Sequence, residues 1–453
     1  MDIFGLADFG LGYLAKKSEI QAAELFFATS RFINIDIDEN SVKNSESGED
    51  QGVSIRMIDK RGSLGFSFTN RITKKHVEKI IGIAYKMTKV GTEDPDFKNL
   101  PESCEFYEHV PNLYDKNIKH LSIEESINPV KDLIRTCDED DMTISQSGHF
   151  GATYNKAYIF NSNGLNVHSK QTACSVSSQM IVKDEKTNDT SVGFDYQTVR
   201  RYHNINAIEI ARNSLESAKR NLNRIKIQSG KLSLILTPKA TISMILKPVA
   251  SAVNAETFQR NRSFLVDKRG EKIGSDLLSI HDNALIDGAV GSASFDGEGV
   301  PCKNKTIINN GVFQKAGLLH NSYTAGKERV ESTGNAVRSS YSTTPGIGIT
   351  NLILEPGNAN IKDVIADTKK GILMESTGDR PNISTGDFSG LIMQGNIIEN
   401  GKVKDPLNET MFGMNLLDLF KNIVIVSKEN KVYGHYKAPY VKVDDVQIIG
   451  SAS

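Results

Sequence analysis

A helix with one buried face is predicted by the stretch Thr237–Glu271, TPKATISMILKPVASAVNAETFQRNRSFLVDKRGE. Thr237 can accept the hydrogen bond of a helix N-cap, and Pro238 suits the first helical position, where no backbone N–H is needed. Pro248 removes a backbone donor and clashes with the preceding turn, so we expect a kink or a new helix start near it. Apolar residues recur at helical spacing and predict the buried face: Ile242, Ile245, Leu246, Val249 and Val253.

The predicted helix lacks the side chains that bind zinc. A helix with two histidines one turn apart can hold zinc, with a nearby glutamate that activates water. The stretch has no histidine, and Glu256 is its only carboxylate before the RSFLVDKRGE segment. The stretch therefore argues against a zinc site on this helix.

Upstream of this stretch, residues 1–226 predict an N-terminal α+β domain. Isoleucines alternate with polar residues from Ile33 to Ile37, which is the period of a half-buried strand. Residues 52–69 have the pattern of a hairpin, and Thr73 opens a helix with apolar residues on one face. Strands followed by a helix on one side are typical of an α+β unit.

Downstream, residues 227–453 predict a mostly antiparallel β domain, like a barrel or a sandwich. Strong turn signals at Asn310-Gly311 and Asn400-Gly401 separate short apolar runs. Only residues 361–369 and 415–421 have a helical pattern in the last part of the chain. A length of 453 residues also favours two domains over one core. The predicted strands are Ile307–Phe313, Gly348–Leu354, Gly371–Met374, Gly390–Ile398, Ile423–Val426 and Tyr440–Ile449.

Charge and cysteine content argue against several classes of protein. The formal net charge of −1 gives no bulk attraction to nucleic acid or to an anionic membrane. No apolar run approaches the ~20 residues that span a bilayer. Scattered cysteines without paired spacing favour a reduced, cytoplasmic chain. These cysteines are Cys104, Cys137, Cys174 and Cys302.

Six segments together resemble the TldD/PmbA family, also called modulators of DNA gyrase. Each segment alone is a weak signal, but their order is specific, and a fainter likeness extends over most of the chain. The net charge gives no physical support to the gyrase label. The segments are RSFLVDKRGEKIG (262–274), FDGEGVPCKN (295–304), STGNAVRSS (332–340), NLILEPG (351–357), TGDFSG (385–390) and IIENGKV (397–403).

The resemblance is to the metal-free branch of that family, PmbA or TldE. The metalloprotease branch carries HExxxH upstream of the segment that matches Ser263–Glu271. Counting back without gaps, Leu246, Lys247 and Ser251 stand at the His, Glu and second His positions. That branch also has a Cys ligand near its C-terminus, whereas the last cysteine here is Cys302. We therefore expect no metal, no cofactor and no catalytic residue in this chain.

What the resemblance implies is a non-catalytic subunit of a TldD/TldE-type zinc metalloprotease complex. A TldD-like subunit with HExxxH would supply the zinc in a heterodimer, and a homodimer stays open. The implied substrates are unfolded peptides and peptide precursors in the cytoplasm, held by strand edges of the β domain.

Three glycine-containing turns carry the side chains that we expect near the substrate. Asp296 and Glu298 could bind a metal or share a proton, although turn carboxylates often accept backbone N–H bonds instead. The other two turns can present N–H groups to a peptide carbonyl, or they can simply end strands. Family resemblance places these turns near the cleft or in the inner β core. Their residues are Thr333, Asn335, Thr385, Gly386 and Asp387.

Two other functions stay open from the residues alone. The chain could be a free-standing homodimeric peptide-binding protein without protease activity, or a self-contained hydrolase with an unrecognised site. Cys302 and His281 are the nucleophile and base to consider, but no spacing shows that they meet. His435 lies near the region where the protease branch keeps its Cys, and we expect a surface or cleft residue there.

Overall fold

The first half of the chain alternates strands and helices. The structure is a computed structural model that describes residues 2–97 and 99–451. The elements in chain order are α1 Ile3–Leu14, β1 Ile20–Asp38, β2 Ser41–Asp59, β3 Leu64–Thr69, α2 Lys74–Val90, α3 Lys116–His120, α4 Ile123–Asp138, β4 Thr143–Asn161, β5 Asn166–Lys183, β6 Thr190–Val199 and α5 Ala207–Arg220.

These strands form a six-stranded antiparallel sheet in the order β3-β2-β1-β4-β5-β6. The alternation predicted from Ile33 to Ile37 is confirmed, because the isoleucines are buried with residues of α4 and α5 and the polar residues between them are half-buried. The predicted hairpin over 52–69 is confirmed by the β2–β3 pairing, and α2 begins directly after Thr73. β6 is an outer strand of this sheet, and it borders the candidate functional site.

The second half is richer in short strands. Its elements are β7 Gly230–Leu236, α6 Pro238–Thr241, α7 Lys247–Ala252, α8 Ala255–Gln259, β8 Ile280–Asn283, β9 Asn304–Asn309, β10 Val312–Phe313, α9 Ser322–Glu328, β11 Ala336–Val337, β12 Gly346–Ile347, β13 Leu352–Leu354, α10 Ile361–Ala366, β14 Lys370–Ser376, β15 Asp387–Leu391, β16 Gln394–Glu399, β17 Lys402–Pro406, β18 Met411–Asn415, α11 Leu416–Lys421, β19 Ile423–Tyr433 and β20 Tyr436–Ile449.

Most of these strands join one twelve-stranded sheet. Its main path is β10-β9-β8-β13-β20-β7-β14-β16-β17, while β18 and β19 also pair with β20, and β15 pairs with β18. The β13–β20 and β7–β14 pairs are parallel, and the other pairs are antiparallel. The α+β class with mostly antiparallel sheets is confirmed, but the described strands form no closed barrel.

The helical stretch after Thr237 is interrupted where Pro248 predicts it. A π-helical turn, Ile242–Leu246, separates α6 from α7, and the N–H of Lys247 bonds to the carbonyl of Ile242. Because Pro248 has no N–H to donate to the carbonyl four residues back, a wider turn there satisfies the backbone and relieves the ring clash. The result is an α7 that begins at Lys247, with Pro248 in its first turn.

Several elements were not predicted from the sequence, among them α3, β6, β7, β8, α9, β17 and β18. The predicted boundary near residue 226 lies between α5 and β7 and stays a prediction. Among the described helices, none is long and apolar enough to cross a bilayer.

Candidate functional site

The positions aligned with the HExxxH motif lie on the π turn and α7, and they point in different directions. Leu246 is fully buried in the main core of the second half. Lys247 and Ser251 are exposed. The Ser251 hydroxyl donates to the Lys247 carbonyl at 3.1 Å, so its proton is committed to the backbone rather than to a base. This helix therefore offers neither zinc ligands nor a Ser–Lys nucleophile.

A cavity of about 460 Å³ lies beside Lys247, and we call it the β6 cavity. Its wall is formed by one face of β5 and β6. The ring of Tyr196 lies 5.8 Å from the ring of Phe194 and 5.3 Å from that of Tyr433, so aromatic surface borders the space. The lining residues are Ser175, Val176, Ser177, Phe194, Tyr196, Gln197, Thr198 and Lys247.

The outer edge of β6 is covered at one end only. The side chain of Gln394 donates to the carbonyl of Val192 at 2.6 Å, and Lys239 Nζ donates to the carbonyl of Phe194 at 2.6 Å. Backbone groups of alternate residues point the same way along a strand, so those of Tyr196 and Thr198 also face outward. No described residue forms a hydrogen bond with these outward groups. The open part of the edge thus lies beside the cavity and Lys247.

The Asp296–Glu298 turn joins the two halves of the chain instead of lining that cavity. Arg56 Nη1 donates to Glu298 at 2.7 Å and Arg56 Nη2 to Glu24 at 3.0 Å, with all three side chains buried. Arg338 also pairs with Glu24. Burial raises the pKa of Glu298, but Arg56 and the N–H and hydroxyl of Ser322 offset this, and the pKa lies below its usual range.

Asp296 behaves as a turn carboxylate. It accepts the backbone N–H groups of Glu298, Val300 and Ala336 at 2.8, 3.0 and 2.9 Å. Burial and the neighbouring Glu298 carboxylate raise the pKa of Asp296 to about 7, although the three N–H groups act in the opposite direction. Two arginines already balance Glu24 and Glu298, so a third buried carboxylate would be an uncompensated charge.

The raised pKa of Asp296 predicts a pH-dependent stability. The folded state keeps the Asp296 proton up to about pH 7, whereas the unfolded state releases it near the usual pKa of 3.8. The protonated group therefore stabilises the fold at low pH, and this contribution is lost as the pH rises through about 7. We expect the melting temperature of the native chain, relative to Asp296→Asn, to fall between about pH 5 and about pH 8. An equal difference between the two proteins at both pH values would contradict the raised pKa.

The Thr333–Asn335 turn packs against the same loop. Buried Asn335 donates to Asp282 at 2.8 Å and to the Gly348 carbonyl at 2.8 Å, while Thr333 Oγ1 donates to Asn335 at 2.8 Å. Cys302 donates weakly to the Gly334 carbonyl at 3.4 Å. The two turns are therefore neighbours within a rigid polar cluster.

The Thr385–Asp387 turn lies elsewhere, at the start of β15, with Thr385 and Asp387 exposed and Gly386 buried. Gly386 has a φ of +82°, which favours glycine. The Asp387 carboxylate accepts from Asn415 Nδ2 at 3.0 Å and Thr385 Oγ1 at 2.8 Å, and both bonds lower the pKa of Asp387. No described hydrogen bond or ion pair joins this turn to Asp296, Glu298 or Asn335, so the predicted site residues form two separate groups.

The cysteine and histidine pair considered for hydrolysis is not assembled. Cys302 is buried, and burial raises the pKa of its thiol. The His281 ring faces Thr306 Oγ1 at 3.2 Å and the Glu355 carboxylate at 2.7 Å. His435 Nδ1 faces the Thr350 carbonyl at 2.9 Å. Within residues 2–97 and 99–451, no group of three or more His, Cys, Asp or Glu side chains could hold a metal ion.

The sequence analysis missed β6, the strand that borders the cavity. Its signal was present as alternating β-forming residues at Val192, Phe194, Tyr196 and Thr198, directly after a charged segment. The strand has ten residues, but it begins within the charged and polar segment 183–192, which favours a loop.

Comparison with known proteins gives a consistent result along the chain. Three family models match: PmbA/TldA metallopeptidase domain 1 over residues 23–88, the central domain over 116–222 and the C-terminal domain over 229–450. A Methanocaldococcus jannaschii protein named a metalloprotease is 27% identical over 405 residues, which are 87% of each chain.

Solved structures share the whole fold. A Thermotoga maritima protein, described as a candidate modulator of DNA gyrase, has a TM-score of 0.88 and 26% identity over 98% of this chain and 100% of its own. TldE from Thermococcus kodakarensis has a TM-score of 0.87 and 23% identity over 99% of this chain and 100% of its own, which shows the same fold.

Proposed function

This chain belongs to the PmbA/TldD family, and from that premise we propose that it is a metal-free, PmbA/TldE-like subunit of a zinc metalloprotease complex. The observation that carries the proposal is the state of the HExxxH positions. Leu246 is a core residue, Lys247 is a cation where a carboxylate would act, and the Ser251 hydroxyl bonds to the backbone. These residues do not fit zinc, so no catalytic step is assigned to them.

A TldD-like subunit with HExxxH would supply the zinc, which polarises a carbonyl and activates water when it is bound. This chain contributes a place for an extended, unfolded peptide. The β6 cavity and the open part of the β6 edge are adjacent, and a strand edge binds a peptide through its backbone with loose side-chain preference. This edge belongs to the first half of the chain, and the expectation that strand edges of the β domain hold a peptide stays a prediction.

The polar turns of the second half have a supporting role in this proposal. Asp296, Glu298, Thr333 and Asn335 hold loops together through buried hydrogen bonds, and they act on the peptide only through the position of those loops. Thr385 and Asp387 are exposed at the start of the edge strand β15, where a partner or a peptide could reach them, while Gly386 between them is buried.

The test combines the purified chain with an HExxxH paralogue from the same genome. We expect the mixture to cleave an unfolded peptide, with cleavage lost on adding a chelator, because the metal generates the nucleophile. The chain alone should leave the peptide intact by mass spectrometry. The control is the same mixture with the paralogue's motif glutamate changed to glutamine.

Two results would contradict the proposal. Chelator-resistant cleavage by the chain alone would support a self-contained hydrolase. Peptide binding by a homodimer that neither associates with the paralogue nor changes its activity would support a free-standing binding protein.

A further inference from the structure

We propose that the β6 cavity recognises the free carboxyl terminus of an extended peptide, with Lys247 as the cation that binds the carboxylate. This inference rests on the proposed peptide-binding function and adds the class of peptide end that the site takes. It concerns a lysine that replaces the acidic residue of the protease branch.

An added strand must stop near Phe194. The carbonyls of Val192 and Phe194 already accept hydrogen bonds from Gln394 and Lys239, so these two side chains stand where the backbone of an added strand would lie. Only the outward groups around Tyr196 and Thr198 stay open to pairing. A bound segment is therefore short, and one of its ends lies at the covered end of β6.

The charge around this end favours a carboxylate over an amine. Lys247 is exposed and lines the cavity, and no described residue forms a hydrogen bond or ion pair with its ammonium group. The nearest carboxylate on β6, Asp195, is buried and paired with Lys239 at 2.9 Å and with Asn213 at 2.8 Å. Lys247 is also the only charged residue in the cavity lining that the structure describes. The Lys247 ammonium group would repel a peptide amine there, whereas it would form an ion pair with a carboxylate.

The remaining lining suits the last residue of a peptide. Ser175 and Ser177 carry hydroxyl groups that can donate to a carboxylate oxygen, and they lie opposite Thr198 and Tyr196 in the sheet. Phe194 and Tyr196 provide an apolar wall for a side chain. Such a site recognises the terminal carboxylate and the backbone of a peptide more than its side chains.

The test measures binding of two labelled peptides of one unfolded sequence by fluorescence anisotropy. One peptide ends in a free carboxylate and the other in a carboxamide. We expect the native chain to bind the free acid roughly tenfold more tightly, because a hydrogen bond to a charged group is stronger than one to a neutral group. Lys247→Met should bind both peptides equally, at the affinity of the amide, and Lys247→Arg should restore the preference.

Two further variants control for structure. Lys86→Met removes an exposed lysine on α2 and should leave the preference unchanged. Thr198→Pro should weaken the binding of both peptides equally, because proline removes an outward N–H while the hydrogen bonds to β5 stay. Melting curves of each variant show whether the fold is retained.

The outcomes separate this inference from the proposed function. If neither peptide binds the native chain, the peptide-binding function itself fails. If both bind equally, or if Lys247→Met keeps the preference, peptide binding stands and carboxylate recognition by Lys247 is overturned.

Discussion

Replacing Arg56 by methionine is expected to lower the free energy of unfolding by about 3–5 kcal/mol, the loss seen when one partner of a buried ion pair is removed. Arg56 lies on β2 and bridges Glu24 on β1 and Glu298 of the second half. Without Arg56, Glu24 still pairs with Arg338. Among the described residues, Glu298 would then accept hydrogen bonds only from Ser322, so its buried charge would be uncompensated. Methionine fills the stem of the side chain, so the loss reports on charge rather than on a cavity.

The controls for Arg56 use the same measurement, urea unfolding. Arg135 is 60% exposed and pairs with Asp132. We expect Arg135→Met to lower the free energy of unfolding by less than about 1 kcal/mol. The double variant of Arg56→Met with Glu298→Gln should lose less free energy of unfolding than Arg56→Met alone, because it has no unpaired buried charge. Equal losses for the single and double variants would show that the ionic bridge does not hold the two halves together.

Replacing Leu246 by histidine, which restores the first residue of the HExxxH motif, is expected to lower the free energy of unfolding by about 2–4 kcal/mol. Leu246 is fully buried among apolar side chains of the main core. An imidazole there loses apolar packing, and its nitrogens lack hydrogen-bond partners. The motif position has therefore become part of the core, and the expected cost measures how far the helix has departed from a metal-binding one.

Two exposed positions on the same helix are the matched controls. Lys247→Glu and Ser251→His should each change the free energy of unfolding by no more than about 0.5 kcal/mol, as exposed substitutions do. All three variants are compared by chemical denaturation. If Leu246→His proved as stable as Ser251→His, the core around this position could accept a ligand, and the proposed loss of the zinc site would have no structural basis.

Local chemistry made part of the fold predictable from the sequence. Thr237 caps α6, and Pro248 marks the restart of the helix, because each residue acts on backbone groups within one turn. The Asn310-Gly311 and Asn400-Gly401 turns have positive φ at both residues, as their side chains allow. The alternation from Ile33 to Ile37 works likewise, because the side chains of a strand point to opposite faces.

The site residues were harder to place, because their environment depends on distant parts of the chain. The sequence of Asp296 and Glu298 allowed a metal pair or a turn, and the choice is made by Arg56, 242 residues from Glu298. The Thr385–Asp387 and Thr333–Asn335 turns look alike in sequence, yet Asp387 is exposed and Asn335 is buried against Asp282. No spacing along the chain encodes that difference.

Residue types alone show that the motif positions lack the zinc ligands of HExxxH, since Leu246, Lys247 and Ser251 carry neither an imidazole nor a carboxylate. The sequence also determined the α+β class through local periodicity. Packing between distant parts of the chain places Lys247 in the lining of the β6 cavity and Leu246 in the core. The physical reason is that a cavity and an open strand edge arise where separate sheets and helices meet, and those contacts depend on packing over the whole chain.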